Sequence, residues 1–124
     1  MLRVAGNVVD DDVTARIAYA VSNLGTNLVV VRGHGNCGAV QAALAGGDLP
    51  GHLPGLIDQI KPAVASSKDV SGDALENAIC ANAKLAAHQI ARSDPVLGPR
   101  VAKGSLGVVS AYVDLASGKI HVRW

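Results

Sequence analysis

Apolar residues recur along the chain with two periods, and the switches between them mark out helices and strands. Val13, Ile17, Ala20, Val21 and Leu24 fall on one stripe and predict a helix. Asp10, Asp11 and Asp12 offer its N-cap and suit the positive end of its dipole, and Gly25 stops it. Leu28 to Val31 is a β-branched run and predicts a short buried strand. Gly38 to Ala45 predicts a helix closed by Gly46-Gly47. After a loop over Asp48 to Gly55, Leu53, Leu56, Ile57, Ile60 and Val64 return to helical spacing. Pro62 is expected to shorten or bend that helix. Ser66 to Gly72 is polar and reads as a loop.

Asp73-x-x-Glu76 is a capping-box pattern, and Leu75, Ile79, Ala83, Ala86 and Ile90 make the following helix the longest. It stops before Asp94-Pro95, and a short helix follows around Val96 to Lys103. Leu106 to Val113, the turn Ala116-Ser117-Gly118 and Lys119 to Arg123 predict a hairpin. Val108, Ser110 and Tyr112 should share one face of its first strand, and Val109, Ala111 and Val113 the other. With both faces largely apolar, that strand belongs inside the sheet, and the one ending at Trp124 outside it. Leu2 to Ala5 reads as the stub of a further strand, ended by Gly6-Asn7. The alternation predicts one α/β domain over residues 1–124, a mostly parallel sheet flanked by helices with an antiparallel edge hairpin.

Composition narrows the class. The chain has 124 residues, 49% of them hydrophobic, and no Phe, so Ala, Val, Leu and Ile must build the core. A net charge of +1 without a basic cluster argues against nucleic acid as a partner. No apolar run approaches the length that spans a bilayer. Asp10 to Asp12 stand where a signal peptide would be apolar, and two cysteines make no disulfide scaffold. A cytoplasmic protein is expected.

The candidate chemistry lies in Val29 to Val40, VVVRGHGNCGAV, where a strand hands over to a helix. Gly33 and Gly35 are expected to permit a tight turn through backbone angles closed to other residues. Cys37 then sits near the positive end of a helix dipole, which favours a thiolate. His34 and Cys37 are two natural ligands for Zn²⁺. Other readings stand beside this one. Gly33 to Gly38 matches G-x-G-x-x-G, but a dinucleotide fold needs a second strand ending in an acid roughly 20 residues on, and Asp58 lies in a segment of helical spacing. A nucleophilic Cys37 activated by His34 lacks a nearby orienting acid. A small buried Cys beside a satisfied His fits these residues as well as a metal does. Elsewhere, His52 reads as solvated, His88 as a helix flank, His121 as solvent-facing and Cys80 as a packed thiol. Tyr19 and Tyr112 read as half-buried.

Val30 to Leu44, VVRGHGNCGAVQAAL, resembles the second metal motif of the β-class carbonic anhydrases. Arg3 to Val8, Ile17 to Gly25, Ser93 to Leu97 and Gly104 to Gly118 resemble further segments of that family in the same order. The resemblance implies the α/β fold above, zinc as cofactor, and reversible hydration of carbon dioxide to bicarbonate. It implies His34 and Cys37 as metal ligands, completed by a Cys from a first motif, Cys-x-Asp-x-Arg, before the Arg3 segment. That motif also carries an Asp–Arg pair. It does not occur in these 124 residues, so the site is expected to lack a ligand and that pair. Two readings follow: a carbonic anhydrase whose missing ligand comes from a partner subunit or an upstream segment, or a non-catalytic homologue with a vestigial metal or anion site. In either, backbone N–H groups around Gly35 and Gly38 could face bicarbonate or another small anion. A homodimer or larger homo-oligomer is expected, because the strand ending at Val31 would otherwise keep a bare edge.

Overall fold

The structure is a computed structural model and describes residues 1–92 and 94–123. In order along the chain stand α1 (Asp11–Asn23), β1 (Leu28–His34), α2 (Gly38–Ala45), α3 (Leu53–Ser67), α4 (Ala74–Arg92), α5 (Leu97–Ala102), β2 (Gly107–Val113) and β3 (Ile120–Arg123). A 3-10 turn at Ala5–Asn7 precedes them. Trp124, the expected end of the last strand, and Ser93 lie outside the described residues.

Local signals start the helices. The Asp10 side chain accepts the Val13 N–H at 2.8 Å, and Asp73 accepts that of Glu76 at 2.7 Å. Asp94 likewise accepts the N–H groups of Val96 and Leu97, at 2.7 and 3.0 Å. Pro62 does not shorten α3, which runs on to Ser67. Pro62 and Asp58 are both on its exposed side, so the carbonyl left without an N–H partner faces water. Leu24 is 68% exposed, because α1 ends one residue before it and the stripe is lost. Tyr19 is also exposed, on the opposite side of α1 from Val13, Ile17 and Val21.

Among the described residues the sheet has three strands in the order β1-β2-β3. β1 and β2 are parallel, with Leu28 opposite Gly107 and His34 opposite Val113. β2 and β3 are antiparallel, with Val113 opposite Ile120. The expected hairpin therefore forms with its first strand central and its second at the edge. The strand expected at Leu2 to Ala5 does not form. Residues 1–4 pair with no strand, and Gly6 and Asn7 turn the chain through left-handed angles, φ 64° and 51°.

α4 covers one face of β1 and β2. Two apolar clusters flank it. One joins Val13, Ile17 and Val21 of α1 to Val31, Ala83, Ala87, Ile90, Leu97 and Leu106. The other joins Val40 and Ala43 of α2 to Ile57 and Ile60 of α3, Ala78 and Ile79 of α4, and Cys37. On the opposite face Val109 and Ala111 are buried within the central strand. Their neighbours on the outer strands, Val30, Ile120 and Val122, are 48%, 57% and 50% exposed.

Candidate metal centre

β1 delivers the candidate site to the carboxyl end of the sheet, where open α/β folds place ligands. The strand continues through Gly33 to His34, so Gly33 is not part of the turn. Neither Gly33 nor Gly35 has a positive φ; the left-handed residue of the turn is Asn36, at φ 56°. Gly33 serves a close packing contact instead. A Cβ there would lie 2.8 Å from Ile79 Cγ2 and 3.6 Å from Ala83 Cβ, so glycine lets α4 settle onto the strand. Gly35 lies under the Tyr112 hydroxyl, which a Cβ would meet at 3.2 Å.

His34 is exposed and alternates onto the face away from α4. Its Nδ1 is 2.9 Å from the Gly35 carbonyl. A carbonyl can only accept, so Nδ1 donates and Nε2 keeps a free lone pair. That is the arrangement in which a neutral imidazole ligates a metal. Cys37 is the N-cap residue of α2, 9% exposed, and its side chain makes no capping hydrogen bond. Its carbonyl accepts the Gln41 N–H at 3.0 Å, which starts the helix. The turn thus presents one nitrogen and one sulfur donor, both ligand types that zinc takes. Among the described residues no group of three or more His, Cys, Asp and Glu side chains gathers into a metal-binding cluster. The donor set is right in kind and short in number.

Of the two glycines expected to face an anion, Gly35 has its N–H engaged with the Val113 carbonyl at 3.0 Å. Gly38 opens α2 and is exposed, with nothing within 4 Å of where a Cβ would stand. His52 precedes α3, His88 lies on α4 and His121 on β3, and all are exposed. His121 faces the Tyr112 ring at a centroid distance of 6.4 Å. Cys80 is half-buried on α4, and neither cysteine is in a disulfide. Asp58 lies within α3 and pairs with Lys61 at 2.6 Å, so the second strand of a dinucleotide fold is absent at that place.

Beside the turn lies a hollow of about 140 Å³, rimmed by Asn36, Asp73, Glu76, Tyr112 and Asp114. Burial pushes the Tyr112 phenol above its usual value of 10.0, and the charges of Glu76, Asp114, Cys80 and Asp73 push the same way. Hydrogen bonds from the Ser117 hydroxyl and the Ala116 N–H hold Asp114 below the usual carboxylate value. In the sequence Asn7 reads only as part of the stop after Leu2 to Ala5, and Asn82 does not stand out. The Asn7 side chain donates to the Arg32 carbonyl at 3.0 Å, and buried Asn82 to the Gly6 carbonyl at 2.6 Å. A signal existed for both: Gly-Asn favours left-handed turns, and an amide inside an apolar helix stripe needs a partner.

The carbonic anhydrase family model matches residues 1–120, so the chain belongs to that family, and its structural neighbours are of the β class. Carbonic anhydrase 2 of Mycobacterium tuberculosis is 34% identical over 128 aligned positions, covering 99% of this chain and 61% of the relative. A structure from the tetrameric β-carbonic anhydrases of Sordaria macrospora superposes with a TM-score of 0.76 at 28% identity, over 95% of this chain and 64% of that one. The Coccomyxa β-carbonic anhydrase, solved with acetazolamide, shares the fold at a TM-score of 0.83 and 23% identity, over 98% of this chain and 59% of that one. The chain thus spans about three fifths of the length of the curated relatives it matches.

Proposed function

We propose that the turn from His34 to Cys37 is one half of a zinc centre of the β-carbonic anhydrase kind, whose reaction is the reversible hydration of carbon dioxide. The observation that carries this reading is the free Nε2 of His34 three residues from the uncapped Cys37 thiol, at the end of β1, a half-exposed edge strand and not the buried one that its β-branched run suggests. A bound Zn²⁺ would supply Lewis acidity that makes water a nucleophile near neutral pH. Two of the side chains that would hold it are in this chain. His34 offers Nε2 because Gly35 holds Nδ1, and the core around Cys37 fixes the thiol where α2 begins. Catalytic zinc takes three protein ligands and an open position. These 124 residues supply two candidates, so a catalytic centre would need a further ligand from outside them, and by themselves they are expected to hydrate carbon dioxide little above the buffer rate.

We also read the protein as at least a dimer, in the cytoplasm. The Sordaria relatives are tetrameric, and here β1 has β2 on one side and no strand on the other among the described residues. No helix among the described residues is long and apolar enough to cross a membrane. The catalytic reading is tested by stopped-flow hydration of carbon dioxide with zinc supplied in excess. The expected result is a rate little above buffer, with any excess lost in His34→Ala and Cys37→Ser. An equal excess in both variants would overturn the assignment. A fully folded protein with neither zinc nor activity would favour the non-catalytic homologue.

A further inference from the structure

We infer that the Ala5–Asn7 turn is a brace that sets the spacing of His34 and Cys37, with Asn7 as a positioning residue. As a statement about metal, this rests on the zinc reading above; as a statement about the turn, it does not. The brace touches both ends of the candidate site. On the His34 side, Asn7 Nδ2 donates to the Arg32 carbonyl, two residues before the histidine. The direction of that carbonyl follows from the ladder. The Asn27 carbonyl accepts from Gly107, and the Gly35 N–H donates to Val113, so odd-numbered residues of β1 bond toward β2. Even-numbered ones, Arg32 among them, point to the outer edge. The Asn7 amide thus takes the place that the N–H of a neighbouring strand would fill, and holds the strand at its functional end.

On the Cys37 side, Gly6 packs against α2 and α3. A Cβ at Gly6 would lie 2.5 Å from Ile60 Cδ1 and 3.5 Å from Ala39 Cβ, and Ala39 is two residues beyond Cys37. The turn is fixed in this cleft by the buried hydrogen bond from Asn82 of α4 to the Gly6 carbonyl. Its two left-handed residues, Gly6 and Asn7, are types that reach such angles at least cost. One short segment therefore ties the strand before His34, the helix after Cys37 and the central helix α4 together. A mere tether for the N-terminus would not need contact with both flanks of the His34–Cys37 turn.

The test uses the full chain in a Cys80→Ser background, which leaves Cys37 as the sole thiol. Asn7→Gly removes the amide and keeps the left-handed backbone accessible; Asn7→Asp cannot donate to a carbonyl at neutral pH. Two readouts are taken: the rate of Cys37 alkylation by iodoacetamide, and Co²⁺ affinity from the sulfur-to-cobalt charge-transfer band. With circular dichroism showing the fold intact, alkylation should accelerate on the order of 10-fold in both variants as the turn opens locally. Cobalt affinity should fall by about 10-fold, as expected for loss of a group that orients ligands. An alkylation rate unchanged in both folded variants would overturn the brace, whatever the metal does. Faster alkylation with no cobalt bound even by the parent would uphold the brace and remove the metal reading instead.

Discussion

Gly33 and Ile79 meet so closely that no side chain fits between them, and a Cβ on the glycine would stand 2.8 Å from Ile79 Cγ2. This contact lets α4 lie on β1 one residue before His34. Gly33→Ala must push the strand and helix apart, and overpacking of this kind costs about 1–3 kcal/mol. Gly38 is the contrast, with open space around it in the first turn of α2. Gly38→Ala should be neutral or stabilise by about 0.4–1 kcal/mol through the unfolded chain. Urea denaturation of both variants checks this, and equal destabilisation would contradict the packing argument.

The core under the site is anchored by Ile60, which is 0% exposed and touches the cluster that holds Cys37. Ile60→Ala should cost about 2–5 kcal/mol, by lost burial and a residual cavity. Leu24→Ala, at a side chain 68% exposed, should stay within about 0.5 kcal/mol of the parent. Thermal unfolding of the pair would refute this ranking if Leu24→Ala were the worse.

Two groups near the hollow make stability depend on pH. Asp114 is held below its usual carboxylate value by Ser117 and Ala116, so the folded state favours its charged form. That contribution is complete above the ordinary carboxylate range and is lost as pH falls through the depressed value. Tyr112 is displaced the other way, above 10.0, so the folded state favours the neutral phenol. Stability from this group is constant below pH 10.0 and declines as pH rises from there through the raised value. Tyr112→Phe should remove that alkaline decline, and Ser117→Ala should weaken the acid-side protection. Chemical denaturation across the pH range measures both; a Tyr112→Phe profile identical to the parent above pH 10 would contradict the assignment.

Much of this fold was legible because its signals are local. Asp10 and Asp73 cap the helices they precede, α2 ends where Gly46 follows, and the apolar stretch from Gly107 to Val113 takes the central place its two apolar faces imply. What failed depends on distant partners. Leu2 to Ala5 has strand-like residues, but among the described residues no strand pairs with it to complete a ladder. Gly33 looked like a turn residue because the helix that needs its missing side chain lies about 46 positions further on and is invisible to a local reading. Asn36 supplied the left-handed angle expected of its neighbours. At the site, residue types and spacing pointed to His34 and Cys37, whereas the braces Asn7 and Asn82 act across the fold and left only faint marks in the sequence.

The open side of β1 and the half-exposed Leu28, Val30, Ile120 and Val122 predict self-association. Light scattering at micromolar concentration should report a dimer or larger species. Val30→Lys places a charge on that surface and should shift the equilibrium toward monomer without unfolding the chain. A stable monomer in the parent protein would contradict the prediction.

If His34 and Cys37 together make a metal half-site, zinc titration of the purified chain reads it out. Two ligands on one turn bind weakly, because affinity grows with ligand count and fixed geometry. The expected result is substoichiometric zinc after dialysis, a measurable but weak affinity on titration, and loss of that affinity in both His34→Ala and Cys37→Ser. Unchanged zinc binding in both variants would contradict it.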